Sequence, residues 1–188
     1  MATEYELKFS ISEEAFQRLR DRYPGTTIRM ETTYYDTKDR TFSRLRGTLR
    51  IRKENEKQVC TLKLPSDDGA RLEYECDCTD LSQGITHLSA MDIPETAKLH
   101  LQKPLIPVCG AAFTRIAWDI LWEGSLLEIA LDEGFLLGRT QKLPLREVEV
   151  ELKEGTREAA QSFARVLQET YDLQIQPLSK FARAKEVE

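Results

Sequence analysis

Charged and apolar side chains alternate along one extended segment after another in this chain, and the charged faces are made almost wholly of glutamate, aspartate, arginine and lysine. In 3–10, Glu4, Glu6 and Lys8 share one face while Tyr5, Leu7 and Phe9 share the other. In 45–53, Arg46, Thr48, Arg50 and Arg52 oppose Leu45, Leu49 and Ile51; in 145–153, Glu147, Glu149 and Glu151 oppose Val148, Val150 and Leu152. A period of two is the mark of a strand with two chemically different faces. An ordinary sheet with one wet face mixes Ser, Thr, Asn, Gln and Lys there. A face that repeats ionised residues strand after strand asks for a different explanation.

The same reading places further strands at 28–37, 58–64, 71–78, 106–120 and 125–133, giving about eight. Ser12 can cap a helix to about residue 22, which Pro24-Gly25 ends. Gly155-Thr156 opens a second helix to about residue 171, and 179–188 reads as one more short helix. The stretch 79–104 breaks the alternation, and Pro94 suggests one or two short helices there. Short turns between strands favour antiparallel connections over βαβ crossovers. The expected fold is α+β: a closed eight-stranded antiparallel β-barrel, or tunnel, with flanking helices, spanning 1–188 as a single domain.

Composition narrows the partners. Lys and Arg total 27 against 32 Asp and Glu, a net charge of −5, so the whole protein has no pull toward nucleic acid or an anionic membrane. No apolar run approaches the length needed to span a bilayer, and 1–10 lacks the apolar core of a signal peptide. The four cysteines form no CxxC pair and read as buried free thiols in a reducing cytoplasm. His87 and His100 lie outside any metal or triad motif, so a metal here would take carboxylate ligands, which points to Mg²⁺ or Mn²⁺.

Continuous apolar faces must be covered, and helices can cover them from outside. The sheet is therefore expected to curl with its charge inside, and about eight strands suffice to enclose a small ligand. Acids two residues apart on one face (Glu4 and Glu6, Glu149 and Glu151) do not stay ionised cheaply without a cation. Clustered arginines call for a polyanion, which they bind bidentately. A polyphosphate carrying a divalent metal satisfies both halves.

In order along the chain, the residues resemble a known family. Glu4-Tyr5-Glu6-Leu7-Lys8 is similar to the ExExK signature of the CYTH superfamily, the triphosphate tunnel metalloenzymes. Tyr34-Tyr35-Asp36-Thr37, Leu49-Arg50-Ile51-Arg52, Thr61-Leu62-Lys63 and Arg71-Leu72-Glu73 resemble its next strand motifs. Arg115 before Ile116-Ala117-Trp118, Ala130-Leu131-Asp132-Glu133-Gly134, the Glu147 to Glu151 run and Ser179-Lys180 resemble the later ones.

The resemblance implies a hydrophilic tunnel that binds a triphosphate. Carried over, it implies metal held by Glu4, Glu6, Asp132, Glu149 and Glu151. Phosphate contacts would come from Lys8, Arg50, Arg52, Lys63, Arg71, Arg115 and Lys180. Glu73 and Glu128 are expected in the lumen as well, and Glu147, Glu149 and Lys8 are the candidates for catalysis. The activity expected first is metal-dependent hydrolysis of inorganic triphosphate to diphosphate and phosphate. The alternatives are conversion of ATP to cyclic AMP and pyrophosphate, as in class IV adenylate cyclases, thiamine triphosphate hydrolysis, and non-catalytic binding of polyphosphate or nucleotide. The expected partner is a small triphosphate, with no nucleic acid or membrane; monomer and homodimer stay open.

Overall fold

Hydroxyl groups start three of the helices. Ser12, Thr156 and Ser179 accept hydrogen bonds from the amides of Ala15, Ala159 and Ala182 at 3.2, 3.3 and 3.1 Å, satisfying donors that a helix start leaves without partners. The computed structural model describes residues 2–66 and 71–187, with side chains from residue 5 onward. Its first half holds β1 (Ala2–Glu4), β2 (Glu6–Ser10), α1 (Glu13–Arg22), β3 (Thr26–Thr37), α2 (Thr41–Arg44), β4 (Thr48–Glu54), β5 (Lys57–Pro65) and β6 (Arg71–Asp77). Then come α3 (Leu81–Ala90), α4 (Glu95–Leu101), β7 (Leu105–Trp122), β8 (Ser125–Leu137), β9 (Lys142–Glu154), α5 (Arg157–Tyr171), β10 (Gln174–Ile175) and α6 (Lys180–Lys185).

All the described strands join one antiparallel sheet in the order β1-β6-β5-β4-β3-β7-β8-β9-β2-β10. The expected α+β architecture and antiparallel connections are present. The expected closed ring of eight is not what the hydrogen-bonded order gives: it is an open row of ten, with β1 and β10 at its ends. Two local features account for the count. The alternation expected across 3–10 breaks at Tyr5, so β1 pairs with β6 while β2 pairs with β9, and the two-residue β10 adds to the outer edge of β2. The Tyr5 carbonyl at the break accepts from the Leu152 amide of β9 at 2.9 Å.

The apolar faces point outward and are covered on two sides. Leu127, Ile129, Leu131, Val148 and Val150 pack under α1 and α5 through Phe16, Leu19, Phe163 and Leu167. Leu49, Ile51, Cys60, Leu62 and Tyr74 pack under α3 and α4 through Leu88, Ala97 and Leu101. This second layer is the role of the stretch 79–104. Each fully buried Leu or Ile contributes roughly 1.5–3 kcal/mol, so the covering helices are part of what holds the sheet. A third apolar cluster lies on the inner face, where Met30, Tyr34, Phe113, Leu136 and Leu145 meet Phe181 and Ala184 of α6. The four cysteines are free thiols, three of them buried. Among the described residues, no helix is long and apolar enough to cross a membrane.

The expected strand 45–53 starts later than the alternation suggests. Thr41–Arg44 is helical, Arg46 has φ 55°, and the strand begins at Thr48. Arg46 is therefore an exposed turn residue and does not share the inner face with Arg50. The cause is Asp36, which is 1% exposed. Its carboxylate accepts from the amides of Thr37, Phe42 and Ser43 at 2.8, 2.9 and 3.0 Å and from the Ser43 hydroxyl at 2.6 Å. That folds 37–47 back on itself before β4 can start. Elsewhere the strands run longer than the alternation shows: β8 reaches Leu137 and β9 starts at Lys142.

Asp36→Ala leaves those amide donors without an acceptor, at roughly 1–3 kcal/mol for each buried group. Urea unfolding is expected to show a loss of about 3 kcal/mol or more, with no compensating gain from the new methyl group.

Candidate active site

Antiparallel registers bring the inner-face charges into rows. Glu6 of β2 lies opposite Glu151 of β9, and Glu151 lies opposite Glu128 of β8, so three carboxylates cross three neighbouring strands side by side. The next row carries Lys8 opposite Glu149. The third carries Glu147 opposite Asp132, and Asp132 opposite Arg115 of β7. On the other wall, Lys63 lies opposite Glu73, and Arg50 opposite Thr61, itself opposite Glu75.

These rows surround a cavity of ≈ 280 Å³. Its lining includes Glu6, Lys8, Arg50, Arg52, Lys63, Arg71, Glu73, Arg115, Glu128, Glu149, Glu151 and Lys180 from the expected residues, and also Glu54, Glu75 and Lys153. Two expected residues lie behind the lining: Asp132 and Glu147 are both 0% exposed. The side chain of Glu4 falls outside the described set; its backbone pairs with Arg71. Neither histidine lines the cavity.

The charges fall into two kinds of arrangement. On the β4–β6 wall three cation–carboxylate spacings are longer: Arg50 to Glu73 is 3.8 Å, Lys63 to Glu73 3.4 Å and Arg52 to Glu75 3.8 Å. Arg52 also meets Glu54, and its Nε is buried with no hydrogen-bond acceptor. Burial and the neighbouring Arg50 pull the Arg52 guanidinium below its ordinary value, against the opposite pull of Glu54 and Glu75.

On the β7–β9 side the spacings are those of charge-assisted hydrogen bonds. Arg115 donates from Nε and Nη2 to the two oxygens of Asp132 at 2.7 Å each, and from Nη2 to Glu149 at 2.5 Å. Lys180, the first residue of α6, reaches Asp132 at 2.7 Å and Glu149 at 2.8 Å and also contacts Glu147. Arg183, one turn further on, holds the other oxygen of Glu147. Three acids thus face three cations, with Asp132 and Glu147 behind the lining and Arg115, Glu149 and Lys180 on it. Burial pushes the Glu147 carboxyl up, against the pull of Lys180. Burial acts on Glu149 in the same sense, yet Lys180 and Arg115 hold its carboxyl well below the usual carboxylate range. Burial alone would lower the Lys180 ammonium; the three carboxylates raise it instead.

Arg183 was not visible as a site residue in the sequence. The available signal was its spacing: a basic residue three after Lys180 shares a helix face with it. The aromatic rings of the cavity are already engaged. Tyr34 lies 5.0 Å from Phe181, and Phe113 carries Arg115 at 5.9 Å and Lys180 at 5.1 Å over its ring.

Comparison with known proteins gives a consistent picture. The CYTH domain family profile matches residues 2–184. An inorganic triphosphatase of Haemophilus influenzae is 27% identical over 201 residues, covering 97% of this chain and 54% of that protein. The chain therefore spans about half the length of this curated relative. HpAC1 of Hippeastrum, described as having a dominant triphosphatase activity, superposes with a TM-score of 0.67 at 19% identity, covering 98% of this chain and 95% of that one. The PH1819 protein of Pyrococcus horikoshii superposes with a TM-score of 0.65 at 23% identity, covering 96% and 97%.

The ion-paired block gives a pH-dependent prediction. Because the folded-state pKa of Glu149 is depressed, its contribution is complete above the unfolded value of about 4.3 and is lost as pH falls toward the folded value. Glu149→Gln should cost about 3–5 kcal/mol at pH 7. The gap from wild type should narrow steadily below about pH 4, as read by denaturant unfolding across that range.

Proposed function

This chain belongs to the CYTH domain family, and from that premise we propose that it is a metal-dependent triphosphatase whose preferred substrate is inorganic triphosphate. The observation that carries this reading is one cavity with a carboxylate row on one wall (Glu6, Glu151, Glu128) and a cluster of cations on the other. Lys8, Arg50, Arg52, Lys63 and Arg71 supply the phosphate contacts. The buried Nε of Arg52, without an acceptor, supports an anion at this wall.

The donor type suits a hard divalent cation: the row offers carboxylate oxygens, which Mg²⁺ and Mn²⁺ prefer, with Glu6 held by Lys8 at 2.8 Å and Glu151 by Lys153 at 3.0 Å. Glu6, Glu151 and Glu128 would hold the ion. Such an ion neutralises phosphate charge and makes a bound water more acidic. The chain's own residues do the rest. Phosphoryl transfer depends on in-line positioning and charge neutralisation more than on covalent help. The cation wall holds the phosphates extended. Glu149, kept ionised by Arg115 and Lys180, keeps those two cations in place beside the cavity. We assign the proton of the attacking water to the Glu6, Glu151 and Glu128 row, since Glu147 is sealed away from the cavity.

The contacts already made by Tyr34, Phe113 and Phe181 support a substrate without a nucleobase or thiamine. Counting β1 and β2 as one strand interrupted at Tyr5, and β10 as an appendage, supports reading the sheet as the expected eight-stranded tunnel. The free thiols support a reducing cytoplasmic setting.

Incubation with Mg²⁺ or Mn²⁺ and inorganic triphosphate, ATP or thiamine triphosphate tests the reading. Phosphate release chiefly from inorganic triphosphate is expected; cyclic AMP and pyrophosphate from ATP would overturn it. Glu6→Gln and Glu151→Gln should each lower kcat by about a hundredfold or more while the circular dichroism spectrum is unchanged. Arg52→Met should act mainly by raising KM.

A further inference from the structure

Among the described residues, one group of three carboxylates converges as metal ligands do: Asp132, Glu147 and Glu149 each offer an oxygen, and these oxygens lie within 4.8 Å of one another. Three buried negative charges cannot persist on neighbouring strands without a cation among them. A cation is already there. The Lys180 ammonium is 2.7 Å from Asp132, 2.8 Å from Glu149 and in contact with Glu147, so its three N–H donors have three carboxylate acceptors. We propose that Lys180 is a built-in cation that fills this carboxylate cluster and excludes a divalent ion from it.

The surrounding charges fit that role. Arg115 and Arg183 bring the cations to three for the three acids, so the block is electrically closed before any metal arrives. An ammonium matches this cluster in hydrogen-bond number, and together with Arg115 and Arg183 in charge, without needing the full oxygen shell of Mg²⁺ or Ca²⁺. Its delivery is mechanical. The Ser179 hydroxyl caps α6 through the Ala182 amide at 3.1 Å, and Phe181 and Ala184 seat the helix in the inner apolar cluster. Lys180 is thus a positioning residue that decides whether this cluster takes up a metal ion. The inference rests on the proposed metal dependence only for its relevance to turnover.

The test counts metal rather than product. Mn²⁺ bound at equilibrium is measured by dialysis and electron paramagnetic resonance for wild type, Lys180→Met and Lys180→Arg, with thermal unfolding in EDTA and in Mn²⁺. Lys180→Met is expected to bind one Mn²⁺ more per chain than wild type, to be destabilised in EDTA, and to regain Tm with Mn²⁺ by a larger step than wild type. Lys180→Arg keeps a cation in the cluster and should match the wild-type count. Equal counts for Lys180→Met and wild type would overturn the proposal, as would an extra ion in Lys180→Arg. Should Lys180→Met fail to fold even in Mn²⁺, wild type decides: the Lys180 ammonium resonance should keep its position and slow proton exchange in saturating Mg²⁺, and its release would sink the idea. A protein that turns over no triphosphate would fail the functional reading while leaving these counts intact.

Discussion

Three carboxylates buried on adjacent strands must be neutralised, and the organisation of one whole side of the cavity follows from that requirement. Asp132, Glu147 and Glu149 tie β8 and β9 to Arg115 on β7 and to Lys180 and Arg183 on α6. Removing either sign alone strands the other in a low-dielectric site, which is far costlier than the pair itself is stabilising. The block therefore fixes α6, and with it Phe181, against the inner face. It also leaves a division of labour. The ion-paired block forms one wall, and the charges of β4, β5 and β6 line the other side of the cavity.

The opposite constraint acts on the outside. A sheet that spends its polar face inward has only its apolar face to offer to solvent, so helices must be recruited to cover it. Two separate layers do so: α1 and α5 over β2, β8 and β9, and α3 and α4 over β4 to β6. The segment between β6 and β7, which carries no charged alternation, is long because it has to supply one of these layers before the chain returns to pair β7 with β3.

Much of this was legible in the sequence, and the misreadings have physical causes. Strands dominated by Glu and Arg on one face reveal themselves because period two is rarely so pure. Parity also assigns the inner face correctly for Asp132 and Glu147. What parity cannot report is depth: both residues point inward, yet α6 seals them from the cavity, and that docking is set by contacts across the fold. Arg183 is invisible for the same reason. Arg46 keeps the alternation going into a turn, because periodicity in the side chains says nothing of the Asp36 anchor that bends the backbone there. The break at Tyr5 is equally silent, since the side-chain pattern runs straight through it.

That break has a consequence for how the molecule comes into being. Residues 6–10 find their partners at 147–151, close to the other end of the sequence described, while 2–4 pair with 71–73. Most of the sheet can assemble as local hairpins, but the ladder between β2 and β9 must close across nearly the whole chain, the kind of pairing that forms slowly. During synthesis the first strand is made early and waits, with an open edge, until β9 has left the ribosome. An edge left waiting is where foreign strands attach. The cavity, which needs both sides of that seam, is consequently the last part of the molecule to exist, and a chain cut short before β9 would have most of the helical cover and no enclosed charge at all.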